Sequence, residues 1–202
     1  LSIKFVRRVM RKILIIFILA ALFPISFPSY SFGAELAKKL IEFGSCPKCD
    51  LSGADLIAAH LKRADLNGAN LSRANLSGVN FAEAKFTNAD LSNANLASAN
   101  LNEAQLGGAN LRRADLSSAS LKLAYLYRAD LSGANLSGAN FSGADLRYVN
   151  LKWADLRGAK FIETDITNAI VNKENLRVAI LCKTKTSWGE DSSGCKSFGD
   201  DS

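Results

Sequence analysis

The chain has 202 residues, 48% of them hydrophobic, and a formal net charge of +6. That size suits one domain or one repeat array. A single His, His60, leaves almost no imidazole for proton transfer, which weighs against acid–base catalysis.

Five cations, Lys4, Arg7, Arg8, Arg11 and Lys12, precede an apolar run from Ile13 to Phe23. Pro24 and the small residues of Ser31-Phe32-Gly33-Ala34 follow. A basic start, a short apolar stretch and a small-x-small site predict a secretory signal over residues 1–34. The apolar run is shorter than the roughly 20 residues that span a bilayer, so membrane contact is expected only if this segment stays uncleaved. Met10, directly before Arg11-Lys12, is an alternative start to Leu1. After residue 34 the charge nearly cancels: 25 − 5 leaves 20 Lys+Arg against 19 Asp+Glu, a net of +1. The basicity belongs to the leader, so no case for nucleic-acid binding follows from it.

Residues 35–48 are read as an N-terminal cap. Glu35 to Phe43 has helical spacing, with Leu36, Leu40 and Phe43 expected on one face. Cys46-Pro47-Lys48-Cys49 then forms a CxxC. It reads as a structural disulfide, a redox-active dithiol or half of a zinc site. The redox reading lacks a thioredoxin-like βαβ context, and zinc would need two further ligands. An even set of four cysteines, with Cys182 and Cys195, favours disulfides in an oxidising compartment.

From Leu51 to Leu181 an apolar residue recurs at every fifth position, Leu in most units and Phe at Phe81, Phe86, Phe141 and Phe161. Two residues earlier runs a second column, Ala54 to Ala159, in which only Val79 and Val149 depart from Ala. Asp or Asn mostly stands between them. Five residues of helix advance 500°, so no apolar stripe forms; in a straight strand an odd period sends successive Leu residues to opposite faces. A short extended piece and a turn satisfy the pattern. Ala and Leu point inward, Asp/Asn points out, and pairs such as Ser52-Gly53 and Ser132-Gly133 turn the corner.

The unit Ala-(Asp/Asn)-Leu-x-x over residues 49–181 resembles the pentapeptide-repeat family. The resemblance implies an all-β fold: a right-handed quadrilateral β-helix with four pentads per coil and a short N-terminal capping helix. On that model the 27 pentads make 27/4, just under seven coils, and a rod about 30 Å long at the spacing of paired strands. Residues 182–202 form the C-terminal cap or tail. Cys46 and Cys49 then lie too far from Cys182 to be bridged, so Cys46–Cys49 and Cys182–Cys195 are the expected disulfides. Secreted family members with similar cysteine pairs support this by analogy.

Residues twenty apart stack on adjacent coils in this model. Tyr127 then lies beside Arg147, and Arg128 beside Tyr148; Leu123, Tyr125, Lys152 and Trp153 are near in sequence. Together they predict an aromatic–basic partner patch on a surface of Ser, Asn and Asp. Arg112-Arg113, with Arg73 two coils below, reads as solvated surface, and His60 as a variant of the Asp/Asn position.

No residue set forms a catalytic site, and neither cofactor nor metal is expected. The function expected is an exported structural or protein-interaction scaffold in the periplasm, the thylakoid lumen or the extracellular space. It would be a monomer or an end-to-end dimer, bind an unknown protein or envelope component, and bind no nucleic acid. Two alternatives stand beside it. One is a thiol–disulfide protein using Cys46 and Cys49. The other is a DNA mimic of the gyrase-binding branch, which would need an acidic cytoplasmic rod.

Overall fold

The computed structural model describes residues 30–57 and 59–195. The signal-peptide reading falls almost wholly outside them. The described residues from Gly33 onward form one compact unit.

Each pentad supplies one corner and one bridge. Parallel bridges join residues twenty apart, from Ser45↔Asp65 through Asn150↔Ile170, so a turn of the coil takes four pentads. The result is an all-β solenoid whose strands are mostly single bridges. Leu116 shows the local wiring. Its N–H donates to the Asn135 carbonyl in the coil above (2.8 Å), and its own carbonyl accepts from Ala119 N–H (3.0 Å). The second bond closes a β-turn over Leu116–Ala119.

Ser118, third residue of that turn, has φ 56°. The third position is left-handed at nearly every described corner, as a type II turn requires. Glycine meets that demand without a Cβ penalty, as at Gly53 and Gly138.

The Asp/Asn position does more than face water. Its Oδ1 accepts the N–H two residues on, for example Ser117 N–H on Asp115 (2.9 Å). Where Asn follows one coil up, its amide also donates to that oxygen, as Asn135 does to Asp115 (3.0 Å). Either residue offers the acceptor, which explains why Asp and Asn alternate freely here.

The Leu/Phe and Ala columns fill the interior, all but fully buried from Leu61 to Phe161. Phe81 and Phe86 meet edge to face at 4.9 Å, and Phe141 stacks on Phe161 at 5.2 Å. Burial of one Leu in such a core is worth about 1.5–3 kcal/mol.

Helix α1 (Tyr30–Phe43) covers the first coil. Leu40 is fully buried, and Leu36 packs against the core. Phe43 departs from the expected face. It is 69% exposed, because the helix stops there and Gly44 (φ 65°) turns the chain away.

At the other end the pattern changes chemistry. β1 (Lys160–Ile162) pairs in parallel with β2 (Ile180–Cys182), and a one-turn helix, α2 (Lys173–Leu176), replaces a corner. Pairing then continues past Leu181: Asp165 bridges Lys185, and Thr184 and Thr186 take the two inward columns. The Thr184 hydroxyl donates to the Phe161 carbonyl, so a buried polar group there is satisfied. β3 (Thr184–Thr186) turns back against β4 (Gly189–Asp191) as an antiparallel hairpin. Gly194 N–H bonds the Leu181 carbonyl at 2.7 Å and closes the end.

Candidate interaction surface

The corner position governs which side chains the solenoid displays. At the left-handed third position most non-glycine residues are charged or polar. Leu123 (φ 58°), Tyr148 (φ 61°) and Trp153 (φ 59°) are the apolar ones among the described residues. A side chain there costs about 1–2 kcal/mol relative to ordinary backbone, so large apolar groups at this position are displayed against a local penalty. They are well exposed: Leu123 63%, Tyr148 46%, Trp153 80%. The composition of the corners hinted at turns, but which of the two corner residues carries the strain was not readable from it.

Stacking at twenty residues brings one cluster together. Tyr127 meets the Tyr148 ring edge-on at 5.5 Å and lies nearly parallel to Tyr125 at 6.1 Å. The Arg128 guanidinium sits 5.1 Å from the Tyr127 centroid and 5.9 Å from that of Tyr148. Arg147 lies 5.7 Å from Tyr127. These contacts hold five long side chains in one plane-rich ledge on a single corner and its adjoining side.

One glycine makes room for the ledge, and another for Leu123 on the corner before it. A methyl built on Gly107 would come within 3.2 Å of the Tyr125 ring, and one on Gly143 within 2.6 Å of Leu123 Cδ2. Tyr125 and Leu123 therefore lie flat on bare backbone of neighbouring coils. Nothing in a single repeat marks Gly107 or Gly143 as part of a surface; they become visible only once the coils are stacked.

Arg147 donates through Nε and Nη2 to the two oxygens of Asp145, at 2.8 and 2.7 Å. These bonds, with the Arg147 N–H, outweigh partial burial and hold the Asp145 carboxyl below its ordinary value, while Asp145 raises Arg147. Arg157 repeats the arrangement on Asp155. Both arginines follow an Asp by two residues, so the Asp that caps the turn also takes the guanidinium.

The structure splits the expected patch. Lys152 and Trp153 contact each other at 6.0 Å, but they occupy the next corner, and Leu123, one pentad before Arg128, occupies the preceding one. There Trp153 lines a shallow groove with Ile170, Val171, Asn172 and Asn175. Among the described residues no ring contact joins Trp153 to the tyrosines.

The cysteines lie at the two ends. Cys46 is bonded to Cys49 and Cys182 to Cys195, with Cα separations of 5.5 and 4.7 Å. Among the described residues no group of three or more His, Cys, Asp or Glu is arranged to hold a metal, and no helix is long and apolar enough to cross a membrane.

A family model for pentapeptide repeats matches in eight copies over residues 49–88, 89–126 and 124–161, more than half of the chain. No curated protein matches it. Among solved structures, HetL is a pentapeptide repeat protein from the cyanobacterium Nostoc involved in heterocyst differentiation regulation. It is 32% identical over 72% of this chain and 71% of its own, with a TM-score of 0.31. Rfr23 from the cyanobacterium Cyanothece is 30% identical over 69% of this chain and 99% of its own, TM-score 0.39. A pentapeptide repeat protein of the Arabidopsis thaliana thylakoid lumen is 26% identical over 60% and 68%, TM-score 0.23. The superpositions are loose, so the assignment rests on the repeat itself and on sequence identity. With its unbroken five-residue register, twenty-residue coil and Asp/Asn-capped corners, the chain belongs to the pentapeptide-repeat family.

Proposed function

We propose that this is an exported, non-enzymatic scaffold whose coil, right-handed and four-sided, presents the Tyr–Arg ledge to a protein or envelope component in the periplasm or thylakoid lumen. One observation carries the reading: Tyr148, stacked on Arg128, holds a left-handed corner that glycine fills at no cost in this same array. Structure alone gives no reason to spend large side chains there, whereas binding does. The near balance of charge after residue 34 supports this over the DNA-mimic alternative. The bonded Cys46–Cys49 pair, at the end of the solenoid, supports a structural role over a redox one.

Two measurements test it. A non-reducing peptide map of protein recovered from the exported fraction is expected to begin near residue 34 and to contain both disulfides. A full-length chain with free thiols would overturn export. Crosslinked capture with the wild-type chain is expected to yield a partner that the Tyr127→Ser/Tyr148→Gly variant loses, and the purified pair should show the same loss. Equal binding by that variant would overturn the assignment of the ledge.

A further inference from the structure

We infer that the ledge recognises a carboxylate on an acidic protein segment, and that Arg128 is the residue that takes it. This rests on the reading of the ledge as the binding surface.

The arginines of this chain divide sharply. Arg63, Arg112, Arg147, Arg157 and Arg177 each pair with a carboxylate. Among the described residues Arg73, Arg113 and Arg128 pair with none. Of these three, only Arg128 has an aromatic ring near it on two sides.

The neighbouring coil shows what Arg128 lacks. Arg147 and Arg157 each find a carboxylate two residues back, at Asp145 and Asp155, and bind it through two nitrogens. One coil below Asp145 the equivalent position holds Tyr125, and where Arg63 finds Glu83 twenty residues on, Arg128 finds Tyr148. A ring has replaced the acid, so the ledge gains an apolar surface and Arg128 keeps its charge.

The rings change what that charge can do. The Tyr127 and Tyr148 ring centroids lie 5.1 and 5.9 Å from the guanidinium, and among the described residues no hydrogen bond or ion pair takes up its N–H donors, which stay open to a partner. A planar cation with its donors forked outward fits a planar oxyanion by two parallel bonds. One coil below Arg128 the corner is Gly108, over which the short Asn88 side chain from the next coil down lies. A bound segment can approach Arg128 over this low, polar corner, with an apolar residue of its own against Tyr125.

The test is selection from a displayed random twelve-residue peptide library on the intact protein, counter-selected on the Tyr127→Ser/Tyr148→Gly variant. Arg128 has φ 59°, so Arg128→Gly removes the cation without straining the corner. The expected result is enrichment of Asp and Glu next to an apolar residue. Affinity should fall about tenfold or more in Arg128→Gly, with only partial retention in Arg128→Lys, which keeps charge but loses the fork. Enriched peptides without an acidic excess, or binding indifferent to Arg128→Gly, would overturn the carboxylate inference and leave the ledge as a binding surface. No enrichment over the counter-selected variant would overturn both.

Discussion

Leu116→Ala probes the interior where the solenoid is most regular. Leu116 is fully buried and stacks between Leu96 and Leu136, one coil below and one above. The substitution removes about three CH₂ equivalents, or about 2.4 kcal/mol of transfer free energy. The remaining cost depends on whether the walls close on the hole. Here they are pinned on both sides: Asp115 N–H bonds Ala94 at 2.9 Å below, and Leu116 N–H bonds Asn135 at 2.8 Å above. A wall held at strand spacing cannot collapse, so the total belongs in the upper part of the known Leu→Ala range, about 4–5 kcal/mol. Urea unfolding followed by circular dichroism would measure it, with Ser118→Gly as the surface control. That control should be neutral or stabilising by up to about 1 kcal/mol, since it relieves a left-handed corner. A fall in the denaturant slope with the midpoint would show the array parting at the weakened coil, as nearest-neighbour coupling allows. A loss below about 1 kcal/mol at unchanged slope would refute the picture of a rigid, filled interior.

The same stacking logic yields further expectations. Asp115→Ala removes the acceptor shared by Ser117 N–H and Asn135 Nδ2 and should cost about 1–3 kcal/mol. Asp115→Asn keeps an Oδ1 and should cost far less; equal losses would show that charge, and not the acceptor, matters. Cys195→Ser opens a disulfide loop spanning a sequence separation of 13, worth about 3 kcal/mol in the chain-entropy model. Amide exchange should rise over residues 184–191 and stay unchanged in the central coils, whereas uniform protection would contradict a local clamp. Asp145 and Asp155 are held below the ordinary value of 3.8 by their arginines. A depressed folded value stabilises at pH above 3.8 and is lost as pH falls below it. Arg147→Gln/Arg157→Gln should therefore lose less stability between pH 7 and pH 3 than the wild type, by a modest margin because both pairs are partly exposed.

Much of this was open to inspection in the residues. Ala and Leu two apart, repeated every five, leave the chain few arrangements, and the Tyr127/Arg147 and Arg128/Tyr148 contacts follow from adding twenty. What stayed hidden has particular causes. Trp153 is one pentad beyond Tyr148, and a pentad is a quarter of a coil, so closeness in sequence put it on another corner. Phe43 has the right spacing for the buried face of α1, but it is the last residue of the helix, and Gly44 turns the chain away there. Thr184 and Thr186 keep the inward register, yet they are polar and look like a tail until their hydroxyls are seen bonded to the Phe161 and Gly189 carbonyls. Adding twenty tells Arg128 from Arg113 by its rings, but does not show that Arg128 lacks a carboxylate among the described residues while Arg112 and Arg147 each hold one.

The twenty-residue coil also sets where the ledge stands relative to the ends of the molecule. Inserting twenty residues of repeat between α1 and Tyr125 would slide the tyrosines about 4.8 Å farther along the axis without turning them. Inserting five would instead swing them a quarter of the way around. Distance and bearing are thus adjustable separately, in fixed increments, by gene duplications of different length. A lineage carrying this array could re-aim its binding surface toward a new partner without altering one contact inside the ledge.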